Sequence, residues 1–340
     1  MLICALFWLQ VAAGCTGAQQ QVTGQLVDAP IWPSSGEPAR IRYLNSFSTP
    51  EELEIRQGML SRIWDLVAGA TYRGMVNPQN VTVDGDGTIY VVDAALKNVQ
   101  IYNRKTDFFG IVPDDDHQLL SPINIAIDLE KGRLYFTDSA AGLVRFAPIS
   151  GKCSFGEFGK GEFIRPTGIV INKRTNELLV LDTKRSEILR YNRENLMIKG
   201  RFGKGGTGEG EFNHPTDLAV NSAGEILVSD SLNFRVQVFS PTGEFQHTFG
   251  KVGDSPGSFS RPKGIAVDSS DNIYVVDNLF DNVQIFDPKG VLLLSFGQAG
   301  QGPGEFWMPA GIHIDRNDKI YIADTYNKRV QIFQYLKHAE

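Results

Sequence analysis

Residues 203–208 of this 340-residue chain read GKGGTG and match G-x-G-x-x-G, a pattern whose backbone N–H groups can gather round a phosphate. That chemistry needs a strand leading in and a helix leading out, so that the helix N-terminus meets the anion. Here Glu211-Phe212-Asn213-His214-Pro215 follows, then a short alternating apolar run, which starts no helix. Six aspartates, Asp93, Asp138, Asp182, Asp230, Asp277 and Asp324, offer carboxylates for metal or acid–base chemistry. The histidines, His117, His214, His247, His313 and His338, show no metal-ligand spacing, and Cys153 has no neighbouring histidine. No G-x-S-x-G elbow is present. Asp84-Gly85-Asp86-Gly87 opens like a calcium loop, but the closing glutamate does not follow.

What must position these residues is a repeat. Pro78, Pro122, Pro166, Pro215, Pro262 and Pro309 recur at spacings of 44, 44, 49, 47 and 47. Three residues before each stands a large apolar side chain: Met75, Leu119, Phe163, Phe212, Phe259 and Phe306. After each proline come a short alternating run, a polar turn, a second run ending in one of the six aspartates, and a third run such as VQIF. A fourth run closes at least the later copies, as in VLLLSFG. Four strands in a period of this length predict an all-β fold, a six-bladed β-propeller. The aspartates then fall one per blade and are expected to accept backbone N–H bonds in the turn that follows. The GKGGTGEGEF loop has counterparts GKVGDSPGSF and GQAGQGPGEF in the next two copies, so its glycines are expected to turn the chain between blades. Asp84–Gly87 takes the hairpin position, and Asp114-Asp115-Asp116 reads as a solvated crossing loop.

The unit, best seen in PKGIAVDSSDNIYVVDNLFDNVQIF and PAGIHIDRNDKIYIADTYNKRVQIF, resembles the NHL repeat over residues 75–333. The resemblance implies the propeller and leaves its activity open. Two six-bladed enzyme families give a direct comparison. Amidating lyases resemble NHL propellers and hold zinc with histidines just after the inner-strand proline. Those positions here are Gln79, Ile123, Thr167, Thr216, Lys263 and Ala310, without a histidine. Gluconolactonase-type propellers place acids and asparagines round a central calcium, and the next positions supply only Asn80, Asn124 and Asp217. A metal-dependent lyase or hydrolase using calcium or zinc in the channel is therefore the second reading, with those three as its metal candidates.

The first reading is a binding scaffold that needs no cofactor. Inner-strand starts cluster round the channel on one face, which should collect Asn80, Asn124, Arg165, His214, Asp217, Arg261 and Lys263. The four basic members would form a sector suited to an acidic peptide, a protein or a glycan. Phe234, Phe280 and Tyr326, in the turns after three second strands, are candidate contact aromatics. A net charge of −6 with scattered Lys and Arg disfavours nucleic acid. Nothing in the pattern calls for a second copy, so a monomer is expected.

The chain's start adds an address. Residues 2–13 are apolar but for Gln10 and too few to span a bilayer, and VAAGC resembles a bacterial lipobox. The resemblance implies a signal peptide over 1–14, lipid attachment at Cys15, and a cell-envelope lipoprotein at the outer membrane, facing periplasm or surface. Membrane contact would then be through the lipid alone. Residues 15–39 are expected to be a flexible tether. In 40–74, the alternating stretch 40–47 should supply the fourth strand of the last blade, because only seven residues follow VQIF at 330–333. Thr49-Pro50-Glu51-Glu52 predicts a helix start, with Leu60, Ile63, Trp64 and Val67 on one face. The blades then fill 75–340.

Overall fold

The computed structural model describes residues 29–35, 38, 40–56, 74–112, 119–149 and 155–337. Cys15, Cys153, His117, His338, the triple aspartate and the apolar helix face at 60–67 lie outside them. Six antiparallel sheets form a ring. Their inner strands are Pro78–Val83, Pro122–Asp128, Pro166–Asn172, Pro215–Val220, Pro262–Val267 and Ile312–Ile314.

Each of the first five blades is a four-stranded meander drawn from consecutive sequence, so every blade has its fourth strand. Blade six is different. The stretch Ile41–Phe47 pairs with Arg329–Tyr335, in a register that sets Tyr43 against Phe333 and Phe47 against Val330. The two chain ends thus close the ring in one sheet. Beyond Ile41–Phe47, Ile31–Trp32 adds a fifth strand, a departure from the flexible tether expected over 15–39. Its reason is Trp32, whose ring packs on Phe296 and Phe333 at centroid distances of 5.7 and 5.9 Å.

The segment opening at Pro50 also departs from expectation in its described part. Glu51–Leu53 is one turn of 3-10 helix, and Glu54 in the left-handed region ends it. The Glu52 carboxylate accepts the Ser48 N–H at 2.6 Å, and Leu53 and Ile55 turn inward, which pins the chain to the ring instead of continuing a helix.

The core lies between blades. The apolar residue three before each proline is buried in every copy, from Met75 to Phe306. In the later copies it meets an aromatic of the third strand: Phe212 with Phe239 at 5.5 Å, Phe259 with Phe286 at 5.6 Å, Phe306 with Phe333 at 5.9 Å. Full burial of one such ring stabilises the fold by about 2 kcal/mol. Hydrogen bonds at the second-strand ends stitch neighbouring blades further. The Thr183, Asn278 and Thr325 side chains donate to the carbonyls of Pro215, Pro309 and Pro78, each at 2.7 Å.

Candidate functional site

The six aspartates are fully buried and saturated. Asp93 accepts the N–H groups of Val76 and Asn77 on one oxygen and those of Ala95 and Leu96 on the other. Asp182 and Asp277 likewise accept four backbone N–H groups from their own flanking segments, one on Oδ2 and three on Oδ1. Each clamps the chain entering an inner strand to the turn leaving the second strand. Asp230 and Asp324 trade some backbone partners for Arg235 and Arg329. These carboxylates build the face and have no capacity left for a ligand.

The GKGGTGEGEF loop is likewise occupied from within. Gly206 has φ 155°, and the Glu211 carboxylate sits where a Cβ on Gly206 would be. That carboxylate accepts the Gly208 N–H at 3.0 Å and pairs with Lys204 at 3.1 Å. Glu305 does the same for Gln301 and Gly302 two loops later. The loop's amides therefore hold the chain's own anion.

The seven sequence candidates divide into two layers. Arg165, His214, Arg261 and Lys263 line a mouth of about 300 Å³ at the inner-strand starts, with Gln79, Thr167, Thr183 and Thr216 beside them. Among its described lining residues there is no carboxylate. Lys263, half-buried, makes one hydrogen bond, to the Gln79 side-chain oxygen at 3.3 Å, and Thr216 fixes its carbonyl at 2.9 Å. Burial and the neighbouring Arg261 pull its ammonium down to about 8, against the attraction of Asp217. His214 sits in the left-handed region at φ 55°. Burial lowers its pKa, helped by the positive charges of Arg165, Arg261 and Lys184. The mouth thus gathers the cations of Arg165, Arg261 and Lys263 beside a His214 that burial and nearby positive charge keep neutral, with no carboxylate among its described lining.

Asn80, Asn124 and Asp217 lie one residue deeper and are buried. They line a second cavity of about 300 Å³, which runs on down the channel between aliphatic strand residues. Asn124 donates to Asp217 Oδ1 at 2.8 Å, bridging blades two and four across Gly168. A Cβ on Gly168 would stand 2.5 Å from Leu218 and 3.2 Å from Asp217, and one on Gly311 would stand 2.7 Å from Asn80. Glycine at those positions lets the three polar side chains share a narrow layer. Burial pushes the Asp217 carboxyl up to about 7, against the bonds from Leu218, Ile265 and Asn124. His313, lower in the channel, is pulled by burial down to about 4.

This layer does not fit calcium or zinc. The Oδ1 atoms of Asn80, Asn124 and Asp217 each accept the N–H of the following residue, at 2.7, 2.7 and 2.9 Å. Calcium takes about six to eight oxygens, and zinc prefers His and Cys. Among the described residues no three His, Cys, Asp or Glu side chains gather round one point.

Of the candidate aromatics, Tyr326 is exposed and borders the mouth. Phe280 is half-buried, and Phe234 packs into the core between blades four and five. Missed by sequence were Lys184, which adds to the field at His214, and the aliphatic neighbours of the mouth. A large apolar residue in a repeat position that is normally a polar turn was the available signal for the latter.

Residues 269–336 match a family model described as a 6-bladed beta-propeller, and residues 212–239 match the NHL repeat. The chain is a six-bladed β-propeller with NHL repeats. No curated protein matches its sequence. Among solved structures, this propeller is similar to an auxiliary nutrient binding protein from Bacteroides thetaiotaomicron VPI-5482. The TM-score is 0.62 at 14% identity, covering 78% of this chain and 71% of that one. A second auxiliary nutrient binding protein, from Bacteroides ovatus ATCC 8483, has a TM-score of 0.61 at 11% identity, covering 77% and 70%. Virginiamycin B lyase from Staphylococcus aureus has a TM-score of 0.56 at 16% identity, covering 77% and 96%. At these identities the likeness is one of fold.

Proposed function

We propose that this propeller is a binding platform that holds the anionic group of a protein, peptide or glycan at the mouth of its channel. The observation that carries the reading is the charge of that mouth: the cations of Arg165, Arg261 and Lys263 converge there beside His214, with no carboxylate among the described lining residues. Cations held close together without a partner are costly, and a bound anion offsets that cost through charge-assisted hydrogen bonds. Two propellers of similar fold bear the name nutrient binding protein, which is in keeping with a binding role, while a third bears the name of a lyase. In this reading the platform belongs in the bacterial cell envelope, held by lipid on Cys15, and the apolar start and VAAGC support that location.

Titration of the purified protein with oligoglutamate, followed by calorimetry at two salt concentrations, tests the mouth. Saturable binding that weakens with salt and disappears in Arg261→Glu/Lys263→Glu is expected. Binding unchanged in that variant would remove the mouth from the reading. For the anchor, growth with labelled palmitate should mark the wild type and leave Cys15→Ala unlabelled.

A further inference from the structure

We propose that the mouth's face docks a protein segment whose acidic residues are flanked by aliphatic ones, the acids entering the mouth and the aliphatic groups seating on an apolar rim. The inference rests on the anion-binding reading above and adds the partner's chemistry. Leu120, Ile164 and Trp307 stand two residues before an inner-strand proline, and Leu232, Leu279 and Tyr326 two after a second-strand aspartate. Both positions fall on the mouth's face, and all six side chains are between 43% and 55% exposed. They come from blades two to six, where turns would ordinarily carry polar residues.

Their backbone is fixed. The N–H groups of Leu120, Ile164 and Trp307 donate to Asp138, Asp182 and Asp324 at 2.9, 2.6 and 2.8 Å. Those of Leu279, Leu232 and Tyr326 donate to Asp277, the Asn213 carbonyl and the Trp307 carbonyl at 3.2, 3.0 and 3.1 Å. Buried aspartates hold four of these residues and backbone carbonyls the other two, so the apolar side chains stand outward on a fixed frame, which reduces the ordering cost of binding. Exposed apolar side chains gathered round a pocket mark a protein contact. The Trp307 and Tyr326 rings, 5.5 Å apart, could stack on a sugar, but the four aliphatic members offer nothing to hydroxyl groups. Charge in the mouth and apolar area round it complement an acidic-aliphatic protein segment.

The test uses three probes on the purified protein: a hexapeptide of two glutamates flanked by leucines, the same with serines for leucines, and polygalacturonate. The variants are Ile164→Ser/Leu279→Ser on the rim and Arg261→Glu/Lys263→Glu in the mouth. The leucine peptide should bind about tenfold tighter than the serine peptide. The rim variant should abolish that difference, leave serine-peptide affinity alone and keep the wild-type Tm. Equal affinity for the two peptides, or a rim variant without effect, would overturn the rim while leaving the mouth standing. Preference for polygalacturonate that ignores the rim would reassign the partner to a glycan and overturn it too. If no probe binds, both readings fall together.

Discussion

Arg193 and Lys263 are both cations in confined places, and the molecule treats them in opposite ways. Arg193, in the wall between blades two and three, is 4% exposed. It donates through two nitrogens to Asp128 and through a third to Glu130 at 2.8 Å. Arg190 nearby meets Glu177 through two 2.9 Å bonds. Lys263 has one amide oxygen for a partner, and Arg261 for a neighbour. The wall saturates its charges because a buried, unpaired ion would unfold it. The mouth gives Lys263 no carboxylate partner, and the proposed anionic ligand would supply one.

Breaking a wall pair should give the largest effect. Asp128→Ala leaves the Arg193 guanidinium buried without its bidentate partner, and a loss of about 3–5 kcal/mol is expected in urea unfolding. A loss near zero would mean that wall and mouth are not different in kind.

Asp217, between the two regions, comes next. Its folded pKa is about 7, above its ordinary 3.8, so between those values the folded chain keeps a proton that the unfolded chain has lost. Stability should therefore fall as pH rises from about 4 to 7, by about 2–4 kcal/mol from this group. Asp217→Asn should flatten that decline in melts taken across the window. An unchanged slope would show that the layer beneath the mouth carries no such buried acid.

Lys263 behaves in the reverse sense to a paired lysine. Its folded pKa of about 8 lies below the ordinary 10.5, so between those values the unfolded chain holds the extra proton and stability rises with pH. Lys263→Met should remove that rise and stabilise the protein at pH 7 by about 1 kcal/mol, the gain tempered by solvent access to the half-buried site. Destabilisation instead would mark Lys263 as a wall residue.

The split between wall and mouth was only partly legible in the sequence. The ring, its six units and its closure were readable because proline, the apolar residue before it and the alternating runs recur with a fixed period, and burial between blades demands that pattern in every copy. Arg165, His214 and Arg261 were readable because each stands just before an inner-strand proline, and Lys263 because it stands just after one. That Asn80, Asn124 and Asp217 form a separate layer was not. One residue's advance along an inner strand moves a side chain from the mouth into the channel, and which neighbours make room depends on glycines in other blades, such as Gly168. Trp32 was hidden as well, since its site is assembled from Phe296, Phe333 and Gly304 of blades five and six.

The smallest effect should come from making a piece of the wall resemble the mouth. Glu211 is the resident anion of the glycine loop, and its pKa is lowered first by the Gly208 N–H and then by Lys204. Its contribution is present above the ordinary carboxylate range and lost as pH falls through the lowered value. Glu211→Ala should shift the Tm only slightly, because the carboxylate is exposed to solvent, while amide exchange at Gly208 quickens. The emptied loop would then present backbone N–H groups and Lys204 without an anion, as the mouth presents its side chains. Inorganic phosphate should therefore perturb the Gly208 amide resonance in Glu211→Ala and leave it unmoved in the wild type. Perturbation in both would mean that the glutamate never occupied the loop, and that the G-x-G-x-x-G pattern was an anion site from the outset.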